Sequence, residues 1–376
     1  MDKTLHLALP VMLHDEVEIA AFKEAQDRIR RLGDQYSVET KVGAFLPYMP
    51  GFSRKPRNLA LAVENQTIHQ LPLAAAEPPI YGQHSLFYGP GALTYDESKP
   101  SGLVGIIDQV GKVLEVTKNA PSNLILAPHL GPMVTPLIQR GDFSKPGFFS
   151  PEDFDFYRDR IWRATTERFS DLKQYAKAKG VNLGVEYAPL VTHEIHPDVN
   201  KDVTGQYIIP LNTWFELNNP LFKGSIVFDV AHWAASHKLR EFYESDRVPK
   251  EERDKLKNDL FRTLAVNDWD EYQEGVGGSP SYIDSMGAAH ISQADGIGFR
   301  PELGSLEQIK WNPRGTELVP RTLFYQLFDN SRETGIPLAV EEDYVKFDAA
   351  GNRLPIDYKE ADAFLEPLFQ TYAQTK

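Results

Sequence analysis

Short apolar runs alternate with longer stretches of helical periodicity from one end of the chain to the other. The apolar runs fall at residues 5–12, 37–45, 83–87, 123–127, 182–187, 225–230, 288–292 and 337–341. Most are unbroken rather than alternating, which is the pattern of parallel strands covered on both faces. Between them, apolar side chains recur every three or four residues, as at Ile19, Phe22, Ala25, Ile29 and Leu32, and again at Leu103, Ile106, Val110 and Val113. That period places them on one face of a helix. Ser150-Pro151-Glu152-Asp153 combines an N-cap residue, a proline at N1 and first-turn acids, and opens a helix that ends near Gly180. Asp357 and Glu360 have capping-box spacing ahead of a last helix, which Pro367 is expected to kink or shorten. Eight strand–helix alternations predict an α/β fold, a single (β/α)8 TIM barrel over residues 1–376. Residues 46–81, 188–223 and 266–287 are rich in proline, glycine, asparagine and aromatics, and are expected to form long βα loops over one barrel face.

In such a barrel the chemistry gathers at the C-terminal ends of the strands, so the ionisable residues that close an apolar run are the informative ones. The fifth run, GVNLGVE, ends in Glu186, and the eighth, GIPLAVE, ends in Glu341 on the same template. The sixth, IVFD, ends in Asp229, and the seventh reaches His290. His129 follows the fourth run and His84 lies in the third. A lone buried carboxylate is costly unless it is paired. Each of these residues taken alone could be met by a lysine or arginine. Four of them at the mouth on consecutive strands are better satisfied together by one divalent cation. The chain has no cysteine, so a metal would rest on His, Asp and Glu, a set compatible with Mg, Mn, Co, Zn or Fe.

A formal net charge of −13 argues against a nucleic-acid partner and favours small-molecule chemistry. The N-terminal MDKTLHLALPVMLHDEVE is too short in apolar residues, and too interrupted, for a secretory signal or a membrane span. A cytoplasmic location, no membrane association and no organic cofactor are the resulting expectations.

The segments GVEYAP at Glu186, FDVAHW at Asp229, AAHISQADG at His290 and AVEED at Glu341 resemble those of the xylose isomerase-like barrels. That group includes sugar phosphate isomerases and epimerases and, more distantly, endonuclease IV. The resemblance implies that Glu186, Asp229, His290 and Glu341 hold one divalent metal. It also implies that Glu186 and Glu341 are the catalytic pair, moving a proton on and off the carbon beside a carbonyl. His232, in the Asp-x-x-His pattern with Asp229, would orient substrate or a metal-bound water, or else support the site from a backbone carbonyl. His84 and His129 match positions where the endonucleases hold a further zinc. Together with Tyr187, Trp233 and Arg300 they are the candidate substrate contacts. The chain departs from the family at Gly296, where epimerases often carry an arginine, Arg300 being the nearest. Residues 292–315 contain no histidine, which removes a zinc pair typical of the endonucleases. The expected activity is therefore metal-dependent isomerisation or epimerisation of a carbohydrate-like small molecule. A lyase or hydrolase that uses the same site is the alternative, followed by a non-catalytic sugar-binding barrel. The resemblance further implies a homodimer or homotetramer.

Overall fold

The computed structural model of the protein describes residues 4–10, 16–47, 73–77, 107–108, 111, 125–126, 169–186, 221, 223–246, 249–251, 253–254, 257, 261, 267–276, 283, 286–293, 297–300, 305–308, 319–340, 348–350, 354 and 356–375. Its strands are β1 (Leu5–Pro10), β2 (Thr40–Pro47), β3 (Leu73–Glu77), β4 (Ile125–Leu126), β5 in two pieces (Asn182–Leu183 and Val185–Glu186), β6 (Ile226–Asp229), β7 (Met286–Ile291) and β8 (Leu338–Val340). All of these pair in parallel, and β1 lies between β2 and β8. The sheet order starts on one piece of β5 and ends on the other, with only Gly184 between them in the chain. β4 pairs with Asn182–Leu183 and β6 pairs with Val185–Glu186. The sheet therefore closes on itself as an eight-stranded parallel barrel, which leaves no free edge.

Two expectations are corrected by these elements. The third strand is Leu73–Glu77, inside the stretch 46–81 that was expected as loop. Residues 83–87, the expected third strand with His84, lie outside the described residues. The stretch 266–287 contains a helix, Trp269–Val276, capped by the Asp268 carboxylate, which accepts from the backbone N–H of Asp270 at 3.0 Å and of Glu271 at 2.8 Å. After β7 the chain also forms an antiparallel hairpin, Ile297–Arg300 with Ser305–Gln308, separate from the barrel sheet.

Side chains alternate across the barrel wall, as any strand requires. Leu5, Leu7 and Leu9 of β1, Val42 of β2, Phe228 of β6 and Ala289 and Ile291 of β7 belong to the large core shared with the helices. The opposite positions make the inner face. Val227 and Ala288 form a small apolar cluster of their own there, side by side in register. On the outside, α1 (Glu16–Gln35) buries Ile19, Phe22, Ala25 and Ile29, the face expected from their spacing.

The turns that deliver β5 and β8 rest on glycines where only glycine is free of a steric cost. Gly180 has φ +73 and follows the helical run 169–178. Its N–H reaches Lys177 O at 3.0 Å and the N–H of Val181 reaches Ala176 O at 2.9 Å, the pair of bonds that defines a Schellman stop. Gly335, at φ +77, ends the helix Arg321–Thr334 with a single bond to Ser331 O. The last helix, Lys359–Gln374, runs past Pro367 without being shortened, and Asp357 accepts from the N–H of Lys359 at 3.1 Å.

The two ends of the chain are bolted together where β1 meets β8. Ser331 Oγ accepts from the His6 N–H at 3.1 Å and donates to Ile336 O at 2.7 Å. Tyr358 donates to Pro10 O at 2.6 Å, and Arg28 meets Asp362 at 2.6 Å. No helix among the described residues is long and apolar enough to cross a membrane.

Candidate functional site

Asp229 is the last residue of β6, and the helix α2 (Val230–His237) starts immediately after it. On β7 the residue directly across is His290. Both share the inner face with Val227 and Ala288, two positions nearer the start of their strands. Both are buried, with side chains 1% and 2% exposed, and His290 Nδ1 stands 3.9 Å from Asp229 Oδ2. That gap is longer than a hydrogen bond, and it is a span that a cation or a water held by both groups can bridge. A carboxylate and an imidazole are a donor set for a borderline divalent ion.

The neighbouring strands continue the register on either side. Glu186 ends β5 and pairs in register with Val227. Ala339 of β8 lies across from His290, and Val340 ends the strand. Glu341 is the next residue in the chain and lies outside the described residues, as do Tyr187, His84 and His129. Among the described residues no set of three or more metal-binding side chains comes together. The structure thus sets Asp229 and His290 3.9 Å apart and places the Glu186 position on the adjoining strand.

The other candidates are placed as follows. His232 is on the first turn of α2. Trp233 is 6% exposed, stacks on His237 at 5.2 Å and meets Phe228 edge-on at 6.3 Å. Phe228 faces the helix layer, so these are the contacts of a packed ring outside the barrel wall. Arg300 ends the first strand of the hairpin that follows β7.

Four features were not singled out from the sequence. β3 ends on Glu77, across from Pro47, and this carboxylate-bearing position was missed because the strand itself was misassigned. Gln293, three residues beyond His290, is buried, and its side-chain amide donates to Val319 O at 3.0 Å and accepts from Val319 N–H at 2.9 Å. Ser292, between them, is 1% exposed. At the opposite end of the barrel, Lys173 donates to Leu221 O and to Ser225 Oγ, which fixes the chain just before β6 begins. Burial pulls the Lys173 ammonium below the ordinary lysine pKa.

Burial first, and then the Lys238 charge, lower the His237 pKa below the ordinary 6.5, with Glu241 opposing. The neutral ring is therefore favoured in the folded protein, and the unfolded chain binds the proton more readily. This contribution to stability is complete above the unfolded value and is lost progressively as pH falls from there through the lowered folded value. His237→Gln is expected to flatten the decline in thermal midpoint between neutral pH and pH 5, measured by calorimetry against wild type. An unchanged decline would assign the loss to other groups.

The chain matches no protein-family model and no curated protein. Among solved structures, its likeness is to xylose isomerase-like barrels. One is a xylose isomerase-like TIM barrel protein from Mycobacterium smegmatis in complex with magnesium, 11% identical with a TM-score of 0.42 over 98% of this chain and 97% of that one. A xylose isomerase domain protein from Planctomyces limnophilus is 12% identical with a TM-score of 0.43, over 98% of each chain. A candidate sugar phosphate isomerase/epimerase from Anabaena variabilis ATCC 29413 is 14% identical with a TM-score of 0.43, over 98% of this chain and 99% of that one. The barrel assignment stands on the closed strand order and not on these likenesses.

Proposed function

We propose that this barrel is a divalent-metal-dependent isomerase or epimerase of a carbohydrate-like small molecule. The observation that carries the reading is the buried Asp229–His290 pair, in register on adjacent strands at the C-terminal end of the barrel and separated by 3.9 Å. Strand ends of this kind are where barrels of this class place their chemistry.

Asp229 and His290 would hold the ion, with Glu186 and Glu341 completing the set. A divalent ion bound there would polarise a carbonyl and acidify the adjacent C–H. The fifth strand, which Glu186 ends, and the eighth strand, which Glu341 follows in the chain, are not neighbours in the sheet order. One carboxylate would take the proton from carbon while the other returns it. Asp229, buried beside His290, would stay a ligand throughout. Magnesium, manganese, cobalt and zinc are all compatible with the donor set.

The test has two parts. Elemental analysis of purified wild type is expected to find near-stoichiometric divalent metal, or to find it after dialysis against Mn, Co or Zn. A panel of ketoses and aldoses is then incubated with metal-loaded protein in deuterated water and followed by NMR. Deuterium appearing at carbon next to the carbonyl, absent in Glu186→Gln, supports the assignment. Loss of a substituent in place of exchange would make the protein a lyase on the same site. Wild type that takes up no metal under any of these conditions would sink the reading.

A further inference from the structure

Gln293 shows which way the chain faces after β7 ends. Its amide clasps the backbone of Val319 from both sides, and Val319 belongs to the core outside the barrel wall. Ala289 and Ile291 belong to that same outer core. Residues 289, 291 and 293 thus all face outward, so the alternation of β7 continues past its last hydrogen-bonded residue. Ser292 must therefore share the inner face with His290. It lies one step further towards the mouth.

The Ser292 side chain is 1% exposed, and among the described residues its hydroxyl has no hydrogen-bond partner. Burying a hydroxyl without a partner is unfavourable, and native proteins keep few such groups without a reason. Here a reason is at hand. The hydroxyl lies on the face that carries Asp229 and His290, at the end of the barrel where a substrate would enter, and the Gln293 clasp holds it in place.

We propose that Ser292 Oγ is a substrate-contacting group of this site, hydrogen-bonding a hydroxyl or carbonyl oxygen of a polyhydroxylated ligand, with Gln293 as the positioning residue behind it. This rests on the function proposed above. A neutral hydroxyl both donates and accepts, which suits a sugar oxygen better than a phosphate or a carboxylate.

Ser292→Ala separates this role from a structural one, because the two roles move stability in opposite directions. If the hydroxyl waits for a ligand, the alanine variant keeps or raises the thermal midpoint of the metal-free protein, since a buried polar group has been removed. If it has a structural partner, the midpoint falls. The second measurement is the shift in midpoint on adding Mn(II), and then on adding D-fructose or D-xylose to the Mn(II)-loaded protein. Wild type is expected to show both shifts. Ser292→Ala should keep the metal shift and bind the sugar about three- to tenfold more weakly, the loss of one neutral hydrogen bond.

Equal sugar shifts in the two proteins, or a metal-free variant that melts earlier, would overturn the assignment of Ser292 alone. A metal shift in wild type with no sugar shift would overturn it as a sugar contact. No metal shift in wild type would remove the functional reading and the inference together.

Discussion

Asp229→Asn abolishes the thermal shift that Mn(II) or Mg(II) gives the wild-type protein, and leaves the metal-free protein as stable as before or more so. The expectation follows from the surroundings of the carboxylate. Asp229 is buried on the inner face, and His290 lies directly across the sheet, its Nδ1 3.9 Å from Asp229 Oδ2. An ionised carboxylate in such a place is strongly disfavoured unless a positive charge offsets it. If that charge is a bound cation, the metal-free protein lacks part of what offsets the carboxylate, and the isosteric amide lowers that cost. Saturating metal at about a hundred times its Kd would add about 2.7 kcal/mol to wild type and nothing to the variant. The opposite reading makes Asp229 and His290 a structural ion pair. Breaking it from one side would then cost about 3–5 kcal/mol in the metal-free protein, and metal would shift neither form. Calorimetry with and without metal, on wild type, Asp229→Asn and His290→Gln, decides between them by sign as well as by size.

The pair was legible because Asp229 ends one strongly apolar run and His290 lies within the next, and both strands form close to where they were expected. Phe228 and Asp229, and likewise Ala289 and His290, alternate between core and inner face, and a period of two is readable without coordinates. Gly180 and Gly335 were equally legible, since a glycine after a helical period signals a left-handed stop, and both adopt it. β3 was not legible. Leu73-Ala-Ala-Ala-Glu77 has little intrinsic strand preference, and its place is set by pairing with β2 and β4 on either side. The helix at Trp269–Val276 was legible but missed, because Asp268 followed by Asp270 and Glu271 is a helix start hidden in a glycine-rich stretch. Ser292 could not have been singled out from composition. Its facing depends on where the Gln293 side chain goes, and that is a tertiary contact with Val319.

Phe328→Ala is the core substitution expected to cost most among those whose surroundings are described, about 3–5 kcal/mol. Phe328 lies in the helix Arg321–Thr334, is fully buried, and meets Phe369 at 5.9 Å and Tyr372 at 5.4 Å, both from the helix Lys359–Gln374. Those two helices do more than cover the sheet. The first carries Ser331, which pins β1 to the turn before β8, and the second carries Asp362, which meets Arg28 of α1. A cavity at Phe328 would loosen the contact through which the two ends of the chain close the barrel. A neighbouring aromatic ring can fill only part of it, because Tyr372 is held by hydrogen bonds to Asp329 and Arg332. With a urea m-value of about 3 kcal/mol/M, the midpoint should fall by about 1 M or more. Val17→Ala, at a residue 65% exposed on α1, is the control and should stay within about 0.5 kcal/mol of wild type. A Phe328→Ala midpoint as close to wild type as that of the control would mean that the two helices do not hold the barrel closed, and that closure rests on the β1–β8 pairing alone.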